Sequence, residues 1–423
     1  RRQQEADHTC MKRFVLAAGA AVGPSTAGAL QSPPVARREP HSVKFGYVES
    51  ENRGANPMRP CKTLVDNYFW LRDDKREAPE VLDLLKAENE FCESQTAHLG
   101  DLRKVLYNEL LSHVRADDET VPYDYGPYCY SSKTVKGKAY REYWRNGEKY
   151  LDVNEVAKDM RKPSMCDVCS VSPSPRGSEI AYCVDDSGYE TYDIKFLPPR
   201  TTKDDESRTH PAISGNVSGS VCWRDESRLL YATHDEAHRP YRVYQRDLRS
   251  GEDSLLFEDL DDLFNVNCWR DVDGTVFVES SSKETTEVYF MKEDDDKLEL
   301  VKKREPGVEY VVASRGQKLY VVANGDGHDN RALYVASKDA PGDWRLLLPS
   351  SDERSLSEVH ATKDFVVLTG REGGYTRVWV SVDGETAFDL VPSIFGGGSS
   401  ADDEDDDDDD EGKNQAYEVV LSS

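Results

Sequence analysis

Between Ser170 and Ser381 one pattern returns five times: an apolar strand, a polar turn, then a second strand. The centres read EIAYCV around Tyr182, RLLYAT around Tyr231, GTVFVE around Phe277, KLYVVA around Tyr320 and DFVVLT around Val366, spaced 49, 46, 43 and 46 residues apart. A period of roughly 40–50 residues holding several short strands is the signature of propeller blades, because each small sheet can bury its apolar faces only against its neighbours. The second strands fall at Tyr192 to Leu197, Arg242 to Arg246, Val288 to Met291, Leu333 to Ala336 and Arg377 to Val380. Runs such as Leu255-Leu256-Phe257 and Leu346 to Leu348 supply further strands.

Reading outward from this array adds three pieces. GPYCY at Gly126 to Tyr130, with KAYREYW from Lys138 to Trp144, forms an earlier unit centred 52 residues before Tyr182, making six. AYEVVL at Ala416 to Leu421 reads as the first strand of a seventh blade that this sequence does not complete. The expected fold class is therefore mainly β: a seven-bladed propeller with an incomplete last blade, preceded by an extended segment and two α-helices. The helices come from Val81, Leu84, Leu85 and Phe91 on one face and Leu99, Leu102, Leu106 and Leu110 on another. Pro79 sits in the first turn of one helix and Asp101 near the start of the next. Two amphipathic helices ahead of an all-β array need a partner surface.

The division expected is an extension over 1–30, an extended and helical segment over 31–121, and the propeller over 122–423 with an acidic insert at 396–414. The extension carries Met11-Lys12-Arg13, an apolar stretch and Ala27-Gly28-Ala29, a pattern shared by secretory signals, organellar presequences and unstructured extensions. The apolar part is too short to span a bilayer. The insert contains Asp402 to Glu411, whose ten negative charges sit within a net charge of −26 and leave −16 when set aside. An acidic balance of that size argues against nucleic acid and for solubility or cationic partners.

Little chemistry is written in the motifs. A hydrolytic serine is presented by a tight G-x-S-x-G turn, and none occurs in these 423 residues. Ser187 and Ser218 lie beside glycines where they serve turn geometry. His234 and His238 are four apart in ATHDEAHRPY, a spacing that does not put them on one strand face, so they read as a solvated turn. Cys166 and Cys169 form a lone CxxC without a second pair or a following helix, and they read as entry into a strand. Nine cysteines, an odd number, define no disulfide framework. Asn216-Val217-Ser218 is one glycosylation sequon, relevant to a secreted chain. The expectation is no metal, no cofactor and no catalytic residue in this chain.

PPVARREPHSVKFG, DNYFWLRDD, EVLDLLKAENEF, YLDVNEVA, SVSPSPRGSEIAYCVDDSGYETYDIKF and DEAHRPYRVYQRDL together resemble the amino-terminal part of the oligopeptidase B branch of the prolyl oligopeptidase family of serine peptidases, collinearly from about Pro33 to Val380. The resemblance implies a propeller paired with an α/β-hydrolase domain on which the preceding segment packs, giving the two helices a partner. It implies a Ser-Asp-His triad wholly in that hydrolase part, so that this chain would be inactive alone. It implies a propeller acting as gate and size filter for short peptides cleaved after Arg or Lys, and a cytoplasmic location. Glu190 matches a family position resembling an interdomain or substrate-side contact; beside a turn, a Glu is more ordinarily a surface residue. The alternative is a stand-alone propeller scaffold binding a basic partner.

Overall fold

The computed structural model describes residues 32–390 apart from 52, 54–56, 161, 198–209, 293–294 and 387. The extension, the acidic insert and the AYEVVL strand expected to open a seventh blade lie outside the described residues. The chain divides into two compact units, Arg1–Arg115 and Ala116–Ser423.

In the first unit, His41–Phe45 pairs antiparallel with Lys62–Asp66. Two helices follow, α1 over Pro79–Thr96 and α2 over Gly100–Ser112. Pro79 opens α1, where its missing N–H costs nothing, and Asp73 accepts from the Ala78 N–H at 2.6 Å just ahead of it. Only Val81 of α1 is buried, while Leu102, Val105, Leu106, Tyr107 and Leu110 of α2 are exposed. The amphipathic pattern is present and its apolar faces are largely uncovered.

The second unit is the repeat array, and the described residues hold six blades. Blade 1 has Tyr128–Thr134, Glu142–Arg145 and Glu148–Asp152 in order, with Asp118–Glu119 and Tyr123–Tyr125 sharing its inner edge; a short helix, α3, follows over Val153–Lys158. Blade 2 runs Asp167–Pro173, Ile180–Asp185 and Tyr192–Leu197, and blade 3 runs Arg228–His234, Pro240–Asp247 and Asp253–Glu258. The long strand Ile213–Trp223 joins them. Its first half pairs with blade 2 through Ile194↔Ile213, and its second half with blade 3 through Val221↔Tyr231. Blades 4, 5 and 6 are four-stranded antiparallel sheets opening at Asn265, Tyr310 and Arg354. All five sequence centres lie in the second strand of a blade.

In blades 2 to 5 those second strands are apolar on both faces because each is packed between two neighbouring blades. In blade 5, Leu319, Val321 and Ala323 pack with Phe277, Val288 and Phe290 of blade 4, while the alternate residues Tyr320 and Val322 pack with Leu356, Val366 and Leu368 of blade 6. Blade 3 does the same, with Leu229 and Tyr231 toward blade 2 and Leu230 and Ala232 toward blade 4. A continuous apolar run is thus what a period of two requires when neither face meets water.

Polar ties supplement these cores. Asp271, at the end of the first strand of blade 4, accepts from the Ser314 N–H at 2.6 Å and from its hydroxyl at 3.2 Å, tying blade 4 to blade 5. Burial, with neighbouring Asp273 adding to it, pushes the Asp271 carboxyl up to about 7. Asp273 in turn holds Lys338 of blade 5 at 3.0 Å and stays below the ordinary carboxylate range.

Phe290 is fully buried between blades 4 and 5, whereas Leu255 on an outer strand is 49% exposed. Phe290→Ala is expected to cost about 3–5 kcal/mol and Leu255→Ala roughly 0.5 kcal/mol or less, read from urea unfolding. Because the folded Asp271 holds its proton more tightly than the unfolded chain does, its stabilising effect is complete at acid pH and is lost as pH rises through about 7. Asp271→Asn should flatten that decline in unfolding free energy measured across this range.

Candidate functional site

The loops between strands present two clusters of polar side chains on the propeller. The first is the connection between the second and third strands of blade 2, DDSGYE. Asp185 is 2% exposed, and its carboxylate gathers the whole turn. It accepts from the Ser187 N–H at 2.7 Å, the Ser187 hydroxyl at 2.6 Å, the Gly188 N–H at 3.2 Å and the Glu190 N–H at 2.8 Å. Burial opposes the ionised form, but these donors outweigh it and hold the carboxyl below its ordinary value. Ser187, considered from sequence as a nucleophile, spends its hydroxyl on Asp185 and on the Tyr189 N–H at 3.1 Å. That is the turn role expected of it.

Glu190, the residue singled out by resemblance, closes this turn in the left-handed region at φ 56°. It is exposed, and its backbone N–H is fixed by Asp185 while its carboxylate stands outward. Next to it is a feature the spacing argument saw only in part: His238 lies in an exposed turn as expected, but not apart from His234. His234 and His238 of blade 3 are stacked, with centroids 4.2 Å apart and planes 21° from parallel. They were expected in a solvated turn without a shared face. The reason for the difference is the turn itself: Asp235 accepts from the Ala237 and Arg239 N–H groups at 2.9 and 3.0 Å, and His238 adopts φ 66°, so the chain folds back over its own strand. His238 Nε2 also meets the carbonyl of Tyr189, joining this turn to the Glu190 turn. Burial, and then the facing His238 ring, hold His234 below the ordinary imidazole range, while Glu190 is among the carboxylates that counter them. Residues 185–190 and 234–239 thus form one acid and imidazole surface across two blades.

The second cluster lies on the turns at the other ends of these strands. A cleft of about 560 Å³ is lined by Arg176, Arg224, Arg228, Arg249 and Arg270 together with Asp225, Glu226 and Asp247. Glu226 crosses to blade 2, accepting from Ser174 at 2.8 Å and also from the Arg176 N–H and the Ser178 hydroxyl. Arg224, only 5% exposed, reaches the Asp295 carbonyl at 2.7 Å and Asp296 at 3.0 Å. Arg270 reaches the Tyr125 hydroxyl of blade 1 at 3.4 Å. Five guanidinium groups against three carboxylates make this a cation-rich lining inside an acidic protein. Composition alone could not reveal it, since these arginines are scattered through four separate turns. Among the described residues no group of His, Cys, Asp and Glu could hold a metal ion, and no helix is long and apolar enough to cross a membrane.

Six repeated blades behind a helical segment define a β-propeller, and the chain belongs to the prolyl oligopeptidase family: residues 47–411 match its N-terminal beta-propeller domain. Among solved structures, oligopeptidase B from Leishmania major is 35% identical with a TM-score of 0.74, covering 83% of this chain and 51% of its own. Oligopeptidase B from Trypanosoma brucei, in a closed form with covalently bound antipain, is 34% identical with a TM-score of 0.75, covering 85% and 52%. Among curated proteins, Protease 2 of Moraxella lacunata is 28% identical over 338 residues, 76% of this chain and 48% of that protein. The chain spans about half the length of the relatives it matches.

Replacing Asp185 by Ala removes the acceptor for three backbone N–H groups and should cost roughly 1–3 kcal/mol, with faster amide exchange at 187–190. The wild-type contribution of this depressed carboxyl is present above the ordinary carboxylate range and fades as pH falls through its lower folded value. Unfolding of wild type and Asp185→Ala should therefore converge at low pH.

Proposed function

We propose that this chain is the propeller half of a serine oligopeptidase that cleaves short peptides after Arg or Lys, and that it serves as gate and size filter to an α/β-hydrolase half. The observation that carries the reading is the likeness to two oligopeptidase B structures at 34 and 35% identity over more than four fifths of this chain but only about half of theirs. Two features support it. Ser187, weighed as a nucleophile, has its hydroxyl committed to Asp185. The helices α1 and α2 expose apolar faces that a hydrolase surface would cover.

In such an enzyme the hydrolase half supplies a Ser that attacks the peptide carbonyl, a His that takes and returns the proton, and an Asp that orients the imidazole. The propeller acts by access: a rigid ring of packed blades admits an extended short peptide and rejects a folded protein. Glu190 is the residue proposed to face the partner domain or the substrate, on a turn that Asp185 makes rigid. A basic side chain of the substrate would find the Glu190 carboxylate on the exposed side of that turn. By family likeness the enzyme works in the cytoplasm.

The purified 423-residue chain should give no turnover of Arg- or Lys-ester substrates above buffer and no labelling by a fluorophosphonate serine-hydrolase probe. Labelling of a serine in this chain would contradict the assignment of chemistry to a hydrolase half. In the complete enzyme, Glu190→Gln should raise KM for an Arg substrate several-fold with kcat nearly unchanged, whereas an unaltered KM would exclude Glu190 from substrate contact.

A further inference from the structure

Four of the described cysteines, Cys169, Cys183, Cys222 and Cys268, lie on strands of blades 2 to 4, and none is in a disulfide. They form two thiol pairs. Cys169 and Cys183 face each other across one strand pair, and Cys222 and Cys268 pack in one core. Cys222 and Cys268 are both buried, with no member open to a reagent. The Cys169 pair differs because it is asymmetric.

Cys169 is exposed and Cys183 is fully buried. The register explains how they meet. Val168 pairs with Val184 and Ser170 with Cys183, so Cys169 is the extra residue of a β-bulge and opposes Cys183 together with Ser170. Opposed residues of antiparallel strands have Cα atoms about 4.5–5.5 Å apart, inside the range a disulfide spans. The lone CxxC is not the pair: Cys166 packs with Leu151, Val153 and Tyr182 toward blade 1, while Cys183 faces blade 3.

The space around Cys169 is kept open by Gly219 of the strand Ile213–Trp223. The Cys169 sulfur lies 3.8 Å from the Gly219 carbonyl, and a Cβ at this φ +85° position would sit 2.6 Å from that sulfur. Cys183 holds the facing Cys169 thiol below its ordinary range, against the nearby Asp167, to which the Tyr192 hydroxyl donates at 2.8 Å. Cys183 is pushed up, first by the facing Cys169 and then by burial. An exposed thiol facing a protected second thiol across a bulge is the arrangement of a peroxide-sensing cysteine and its resolving partner.

We propose that Cys169 and Cys183 are a redox-responsive dithiol that closes to a disulfide under hydrogen peroxide and reopens with a thiol reductant. The Cys169 thiolate attacks one peroxide oxygen, the O–O bond breaks, and hydroxide leaves, giving a sulfenic acid. The Cys183 sulfur then attacks the Cys169 sulfur, the S–O bond breaks, and the Cys183 proton leaves with the hydroxide as water. Overall two thiols are oxidised by two electrons, one peroxide is reduced, and two waters form. The closed form would pin the bulge of blade 2 against its second strand.

The test treats the full chain with dilute hydrogen peroxide, blocks remaining thiols with iodoacetamide and maps tryptic peptides by mass spectrometry. The expected product joins the peptide ending at Arg176 to the one beginning at Gly177, linked through Cys169, two hydrogens lighter than the reduced pair and separated again by dithiothreitol. Its formation should outpace oxidation of the exposed, unpaired Cys61 and Cys92 by roughly an order of magnitude. In Cys183→Ala the Cys169 sulfenic acid should accumulate and be trapped by dimedone, and in Cys169→Ser the thiol of Cys183 should stay unmodified. A link through Cys166, or oxidation of Cys169 no faster than that of Cys61 and Cys92, would overturn the proposal.

Discussion

Burial of both faces of the second strand in blades 2 to 5 is the constraint on which the rest depends. A four-stranded sheet standing alone leaves both apolar faces to water; stacking it between neighbouring sheets covers both. Tyr320 and Leu319 are neighbours in sequence yet belong to different cores, one shared with blade 6 and the other with blade 4. At about 25 cal/mol per Å² of apolar surface, this alternating burial is the dominant favourable contribution. It also makes the array a chain of nearest-neighbour contacts, so the position of every loop follows from which strands must pack. The surfaces carrying Glu190 and the arginine cleft are consequences of that order.

A second device recurs at the strand ends. Asp185, Asp225 and Asp235 each accept backbone N–H groups from the two to five residues that follow, and Asp225 and Asp235 also hold the arginine three or four residues on. An ionised acceptor of several N–H groups makes a turn rigid at little cost in residues. Some of the acidic excess that seemed only to serve solubility is therefore structural. Turns built this way hold their exposed residues, Glu190 and His238 among them, on a fixed backbone.

Much of the fold was legible in the sequence. The spacing of Tyr182, Tyr231, Phe277, Tyr320 and Val366 located five blades by their apolar runs, and GPYCY located the one before them, although its strand Tyr128–Thr134 turns polar after Tyr130 and is only part-buried. The helices were legible for the same reason, from a period of 3.6. What escaped is what tertiary geometry alone decides. The stacking of His234 on His238 depends on a left-handed residue and an Asp cage, which a spacing rule for strands ignores. The pairing of Cys169 with Cys183, fourteen residues apart, depends on the register and a single extra residue in one strand; the CxxC spacing pointed to Cys166 instead. DDSG is the one local cue to the Asp185 turn, since Asp and Ser ahead of Gly favour such turns.

The central claim is that these blades act as a gate on peptide hydrolysis carried out elsewhere in the enzyme. The most direct measurement compares the complete peptidase with its hydrolase half alone, on one Arg-containing sequence offered both as a free short peptide and within a flexible loop of a folded protein. The account predicts that the complete enzyme cleaves the free peptide and spares the loop, and that removing the propeller narrows the ratio of the two kcat/KM values. An unchanged ratio, from a hydrolase half shown to be folded and active on the free peptide, would contradict it.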